Sequence, residues 1–323
     1  MYKNQQPSWS LSKHRMLMEC ELKWVLNYYV AKWGETNSKS ITLQLAWRLK
    51  HLKNMYMLFG ELMHQIIESE IKTLLETGEV LSEAKIKKLL RDMLNRNYSQ
   101  TKYGLNLWYK EPRVNPMIFE IYYGGNLDKT LIQIIAKKID ECVSGFIQSK
   151  TINEVIAKRN VKIVEAEKYK SFYLDGVRVV LSADLVYLDQ NNDIYGIVDW
   201  KSGKRSKDDS LQLTTYALYL EKTYGADLSD IELSNEYLEE GINKNYTVDT
   251  YDFENLKSII QASSKRMTEL EENLRYPDDK ILSTFQKTEN ERVCEWCNFK
   301  AICSDELRNT HMNNFLKDKG RKH

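Results

Sequence analysis

The chain has few residues that break regular structure: 13 glycines and 4 prolines among 323 residues. So few breakers disfavour a many-turned all-β fold and favour long helices. No apolar run approaches the roughly 20 residues of a membrane span. The opening stretch, Met1 to Ser12, is polar and lacks the apolar core of a signal peptide. The expectation is a cytoplasmic protein with no membrane partner. Charge of one sign is also missing, since Lys+Arg 47 against Asp+Glu 46 leaves a net charge of +1. That excludes a uniformly basic nucleic-acid coat but allows a local basic track. Phosphate-loop chemistry is absent too: the Gly-Lys at Gly203-Lys204 has Val198, not glycine, five residues before Gly203. The chain therefore carries no ATPase of its own, and any helicase would be a separate polypeptide. Five cysteines in a reducing compartment do not make a disulfide framework and need another explanation.

Hydrophobic residues make up 42% of the chain, which excludes general disorder. The length suits two domains, or one with large insertions. Apolar spacing predicts helices over Ser12 to Lys32, Leu43 to Thr77 with Gly78 as the stop, Ser82 to Tyr98, and Leu127 to Ser149. The pattern changes near Val161. Val161 to Glu167 and Phe172 to Leu174 lead into Asp175-Gly176, a hairpin turn signal, and Val177 to Leu188 returns. Ile194 to Trp200 is a third strand, and a helix follows over Asp208 to Tyr224. Two more strands, Asp230 to Leu238 and Lys244 to Thr250, precede a helix over Phe253 to Leu274. The expected division is a helical region at 1–155, an α/β core at 156–275 and a cysteine-bearing segment with a basic tail at 276–323.

The third strand ends Asp199-Trp200-Lys201. Alternate residues of a strand face one side, so Asp199 and Lys201 project together. Asp184 stands in an otherwise apolar stretch of the preceding strand and can approach Asp199 through the Gln190 to Asp193 turn. Paired carboxylates repel unless a cation lies between them, and Mg²⁺ or Mn²⁺ prefers oxygen ligands. A lysine beside them can stabilise charge on a phosphate. Taken alone, Asp-x-Lys is equally the pattern of a strand-end salt bridge.

Four motifs together change that balance. Gly60-Glu61-Leu62-Met63-His64 is Gly-x-x-x-His on a helix, and Asp184 is a strand acid. Asp199-Trp200-Lys201-Ser202-Gly203 is Asp-x-Lys-Ser-Gly, and Gln212-Leu213-Thr214-Thr215-Tyr216 is Gln-x-x-x-Tyr on the next helix. In this order they resemble the RecB-type branch of the PD-(D/E)XK nuclease superfamily. The resemblance implies an α/β, restriction-endonuclease-like mixed sheet flanked by helices. It implies His64, Asp184, Asp199 and the Trp200 backbone carbonyl as metal ligands, and Lys201 as the catalytic lysine. Gln212 and Tyr216 would position that lysine or the DNA. Glu167 would be an accessory acid, with Glu165 as runner-up. Imidazole leans the metal toward Mn²⁺ over Mg²⁺. One departure stands out: the family often has glycine three residues before the strand acid, where this chain has Leu181.

Cys294-Glu295-Trp296-Cys297 and Cys303 give C-x2-C-x5-C, one thiolate short of a four-ligand site. The fourth candidate is Cys20 or Cys142, and Cys₄ suits structural Zn²⁺ as well as an iron–sulfur cluster. The chain is similar to the AddB-type, CRISPR-associated RecB-like and exonuclease V members of that branch. In these, one cysteine precedes the core and three follow it. The resemblance implies a [4Fe–4S] cluster on Cys20, Cys294, Cys297 and Cys303, stapling the two ends, with structural Zn²⁺ as the alternative. Cys142 reads as a buried apolar residue.

Lys204, Arg205 and Lys207 make a basic loop where a DNA backbone needs neutralising charge. The expected function is a metal-dependent DNA nuclease, in the implied families an exonuclease on ends or single strands. DNA repair, recombination, CRISPR or antiphage defence would each fit, with DNA and a separate helicase or defence protein as partners. The alternative is a non-catalytic or partner-activated DNA-binding subunit. The intact His64, Asp184, Asp199, Lys201 and Gln212 argue against it.

Overall fold

A computed structural model describes residues 8–35, 40–274 and 281–304. In chain order the helices and strands begin with α1 (Leu11–Glu19), α2 (Glu21–Val25), α3 (Ala31–Glu35), α4 (Ile41–Leu49), β1 (Leu52–Lys53) and α5 (Met55–Thr77). Next come α6 (Glu83–Tyr103), α7 (Leu105–Lys110), β2 (Met117–Ile118), α8 (Phe119–Gly124) and α9 (Lys129–Ile147). Then follow β3 (Val161–Leu174), β4 (Val177–Asp189), β5 (Ile194–Lys201), α10 (Asp209–Tyr224), β6 (Ile231–Tyr237) and β7 (Ile242–Tyr246). The last are α11 (Thr250–Glu272), α12 (Ile281–Thr284), α13 (Glu291–Glu295) and α14 (Lys300–Cys303). The described chain forms two compact units. The first takes the described residues up to Leu11, Tyr56–Leu94 and Asp128–Ala262. The second takes Ser12–Met55, Asn95–Leu127 and the described residues from Ser263 onward.

The first unit is built on a five-stranded mixed sheet of order β3-β4-β5-β6-β7. β3, β4 and β5 are antiparallel neighbours, β5 and β6 are parallel, and β7 returns antiparallel to β6. A parallel neighbour needs a crossover, and α10 supplies it. Its end is set by Gly225, which takes the left-handed conformation at φ 71°. α10 packs on β3, β4, β5 and β6. α9 covers the other face, where Phe146 meets Trp200 edge-on at 6.3 Å between ring centres. Gly145 permits that approach, since a Cβ there would stand 2.0 Å from the Leu238 carbonyl oxygen. Trp200 is fully buried and donates Nε1–H to Glu236 Oε2 at 3.1 Å. Glu236 in turn accepts from Thr151 N and Oγ1 at 2.8 and 2.7 Å. The buried indole is worth about 4–6 kcal/mol as an upper bound on area burial, and its one polar atom is satisfied.

The second unit packs around Trp24, Trp108, Leu26 and Leu49, all fully buried. The buried Arg48 donates Nε–H to the Tyr109 carbonyl and Nη1–H to the Gln44 carbonyl, each at 2.9 Å. Asn298 donates to the Leu52 carbonyl at 2.9 Å, and Tyr123 donates to the Asn298 carbonyl at 2.7 Å. These bonds tie α14's approach to β1 and α8.

Two expected helices are interrupted. The Ser12 to Lys32 helix breaks at Cys20, whose extended backbone (φ −170°) caps α2, and a π-helical turn, Leu26–Val30, follows. The Leu43 to Thr77 helix breaks at β1, which pairs in parallel with β2. A two-residue strand is too short to leave a period-two signal. The first two expected strand pieces, conversely, are one continuous β3. Among the described residues, no helix is long and apolar enough to cross a membrane.

Candidate active site

Asp199 and Lys201 stand on the same side of β5, as alternation requires. Lys201 Nζ lies 2.5 Å from Asp199 Oδ2 and donates to Gln212 Oε1 at 2.8 Å. Gln212, on the first turn of α10, donates its amide nitrogen to Asp199 Oδ1 at 2.9 Å and to Tyr216 Oη at 2.6 Å. Lysine only donates and the aspartate only accepts, so the amide has one orientation here. Tyr216, one turn further on, donates to the Ser182 carbonyl at 2.6 Å and anchors the array to β4.

Asp184 lies on β4, one step beyond the last paired residues, Leu185 and Val198. Its Oδ2 accepts the Trp200 backbone N–H at 2.7 Å. Its Oδ1 lies 3.4 Å from His64 Nδ1. His64 comes from α5, where Gly60 brings the helix close to the loop after β5: a Cβ on Gly60 would stand 3.2 Å from Ser202 Oγ. The Gly-x-x-x-His spacing thus serves packing at its first position and a carboxylate contact at its last.

Asp184 and Asp199 are 8% and 3% exposed. Burial, and then the negative charge of Asp184, push the Asp199 carboxyl up to about 7, against the pull of Lys201 and His64. The repulsion between Asp184 and Asp199 is one that a cation held between them would relieve. Two carboxylates and an imidazole are a donor set that fits Mn²⁺ or Mg²⁺. Among the described residues, no three His, Cys, Asp or Glu side chains are already drawn together to hold a metal ion. Here the acids are engaged by protein donors, Asp199 Oδ2 by Lys201 and Asp184 Oδ2 by the Trp200 N–H.

The remaining candidates fall in different places. Glu167 belongs to β3, and its side chain lies outside the described residues. Glu165, the runner-up, is buried and accepts from Tyr219 at 2.5 Å and Tyr224 at 2.8 Å, both on α10. Lys204 and Lys207 are exposed. Arg205 forks onto Glu240 at 2.6 and 3.3 Å, so its charge is matched within the protein. The basic tail, 317–323, lies outside the described residues.

Three residues absent from the sequence reading complete the pocket. Asn235 and Tyr237 on β6 stand directly beside Asp199 and Lys201. Tyr237 donates to Asp209 Oδ2 at 2.9 Å, and Asp209 Oδ1 lies 3.9 Å from Lys201 Nζ. Asn235 is fully buried and donates to Tyr237 Oη at 3.4 Å. The signal was the polar run Ser234-Asn235-Glu236 between the buried Leu233 and Tyr237 of the strand.

In the second unit, Cys20, Cys294, Cys297 and Cys303 line one cavity of about 230 Å³, together with Lys23 and Lys300. Cys20 Sγ accepts the Lys23 N–H at 3.5 Å. Burial pushes the Cys297 thiol up to about 11, with Cys303 and Cys20 adding to it. Cys142 is buried in α9, and burial pushes its thiol up to about 12. Lys287 lines it as well, and although the thiols are not gathered to metal-holding distance here, four thiols beside three lysines are a donor set whose chemistry suits either a [4Fe–4S] cluster or Zn²⁺.

No curated protein matches the chain. The profile of the PD-(D/E)XK nuclease superfamily matches residues 8–304, which span the sheet, the carboxylate pair, Lys201 and all five cysteines. By that match the chain belongs to the PD-(D/E)XK nuclease superfamily.

Proposed function

We propose that the protein is a metal-dependent DNA nuclease of the RecB-type branch, acting on DNA ends or single strands, with residues 156–275 as its nuclease core. The observation that carries this reading is the buried Asp184–Asp199 pair with Lys201 bridged to Gln212. A divalent cation held by Asp184, Asp199, His64 and the Trp200 carbonyl would neutralise the carboxylates and polarise a phosphodiester for attack by water. Lys201 places a positive charge where negative charge develops on the phosphate. Gln212 holds Lys201 in register, and Tyr216 holds Gln212. Asp184 keeps its orientation through the Trp200 N–H. Glu167 is proposed as an accessory acid, and Lys204, Arg205 and Lys207 as contacts to the DNA backbone.

Cys20, Cys294, Cys297 and Cys303 are proposed to hold a [4Fe–4S] cluster, with structural Zn²⁺ as the alternative. Linking residues so distant in sequence would stabilise the fold. The lysines of the cavity offset thiolate charge. A setting in repair, recombination, CRISPR or antiphage defence, beside a separate helicase or defence protein, suits an enzyme without its own ATPase.

Substrate topology tests the exonuclease reading. Linear single strands should be degraded with Mn²⁺ or Mg²⁺, and covalently closed single-stranded circles should survive. Cleaved circles would make the protein an endonuclease.

A further inference from the structure

The β3–β4 hairpin outruns the rest of the sheet. β4 pairs with β5 only over Leu185 to Asp189, whereas its pairing with β3 runs on to Val177 opposite Leu174. Beyond β5, residues 168–183 form a two-stranded arm closed by Asp175 and Gly176, both at positive φ (48° and 84°). Trp9 clips the open edge of β4, donating to the Arg178 carbonyl and accepting from Val180 N, each at 2.8 Å.

The arm has two unlike faces. Phe172, Leu174, Val179 and Leu181 are buried on one side. On the other, Tyr169, Ser171 and Tyr173 of β3 stand opposite Ser182, Val180 and Arg178 of β4. Tyr169 is 85% exposed and Tyr173 70% exposed. A β-sheet gains most from a tyrosine whose ring is at least half covered, so two bare rings on one strand face are not explained by packing. Arg178 is exposed on the same face and donates Nε–H to Ser171 Oγ at 3.2 Å.

That row of β4 has a direction. Arg178, Val180, Ser182 and Asp184 are alternate residues, so the outward face runs into the Asp184 carboxylate. Tyr169, opposite Ser182, lies about 7 Å along the strand from Asp184, and Tyr173, opposite Arg178, about 20 Å. On this face Arg178 supplies the positive charge for a phosphate, whereas Lys170 stands opposite Leu181 on the other face and pairs with Glu165 at 3.2 Å. Flat exposed rings recognise unpaired bases, because the faces of paired bases are covered by their neighbours in the duplex.

We propose that this arm is a stacking platform for single-stranded DNA: Tyr169 and Tyr173 take unpaired bases, and Arg178 takes a phosphate. The strand is led along β4 toward Asp184. The inference rests on the nuclease reading for its direction, and it names the form of substrate that reading requires.

The test is fluorescence anisotropy on the full chain in EDTA, which prevents cleavage. Labelled oligo-thymidylate is compared with a blunt hairpin duplex. Tyr169→Ala and Tyr173→Ala should each weaken single-strand binding by about five-fold or more, and the phenylalanine variants should stay within about two-fold of wild type. Duplex binding should change by less than about two-fold, because duplex affinity comes from phosphates. Unchanged single-strand binding, equal losses on both probes, or wild-type protein that does not bind oligo-thymidylate would overturn the proposal. A parallel cleavage assay with Lys201→Ala separates the two readings. If cleavage depends on Lys201 but the tyrosine variants bind as wild type, the platform alone fails. If nothing is cleaved but the tyrosine variants lose single-strand binding, the platform stands and the nuclease reading fails.

Discussion

Lys201 Nζ sits 2.5 Å from Asp199 Oδ2, two residues apart on one face of β5. The contact joins the proposed catalytic cation to a proposed metal ligand. It also brings three other polar groups within reach of that lysine: Gln212 directly, Asp209 at 3.9 Å, and Tyr237 behind Asp209.

Gln212 should act through Lys201. Gln212→Ala frees the ammonium from one of its partners and unlinks Tyr216 from Asp199. A displacement of about 1 Å at a reacting group costs about 10²-fold in rate. Turnover on single-stranded DNA should therefore fall by about that factor, with a smaller change in KM. Steady-state kinetics on a labelled oligonucleotide check this.

Metal binding should strengthen as pH rises. The Asp199 carboxyl is raised toward 7 by burial and by Asp184, so below that pH the metal-free pocket holds a proton that a cation must displace. The increase in melting temperature on adding Mn²⁺ should be larger at pH 8 than at pH 6. It should disappear in Asp184→Asn and Asp199→Asn. Thermal melts with and without the metal at the two pH values read this directly.

His51, in the second unit, should make stability fall as the pH is lowered. Burial, then Lys50 and Arg113, depress its imidazole to about 4. The unfolded chain takes up that proton near 6.5 and the folded chain does not. The contribution is fully present above about 6.5 and is lost as pH falls toward 4. Denaturant titrations should show a falling midpoint across that window, and His51→Gln should flatten the slope.

The cavity cysteines should carry the same bound group. Anaerobically purified protein should absorb visible light and contain about four irons if it holds a [4Fe–4S] cluster. Cys297→Ser should remove both signals, and Cys142→Ser neither. Stoichiometric zinc without colour would establish the alternative.

The strands and the carboxylate site were legible because they are local. Asp175-Gly176 marks a hairpin turn by itself, and Asp199-x-Lys201 places two side chains on one face by alternation alone. The step from β5 through α10 to β6 was legible from the change of period. What could not be read depended on partners distant in sequence. β1 exists only because β2 lies beside it, some 60 residues on. Cys20 breaks a helix pattern that Leu17, Trp24 and Val25 continue without a gap. Asp209 and Tyr237 meet only through the crossover, and neither has a local motif. The pairing of Arg205 with Glu240 could not be read locally, because Glu240 belongs to the turn after β6.

The most direct test of the proposed chemistry is single-turnover cleavage by wild-type and Lys201→Ala protein on one end-labelled single strand with Mn²⁺. Each protein is first shown by its Mn²⁺-dependent melting shift to bind the ion. Cleavage by wild type, with a loss of about 10³-fold or more in Lys201→Ala while the metal shift remains, is the expected result. Equal cleavage by both proteins would contradict the assignment of Lys201, and with it the reading of the Asp184–Asp199 pair as a nuclease centre.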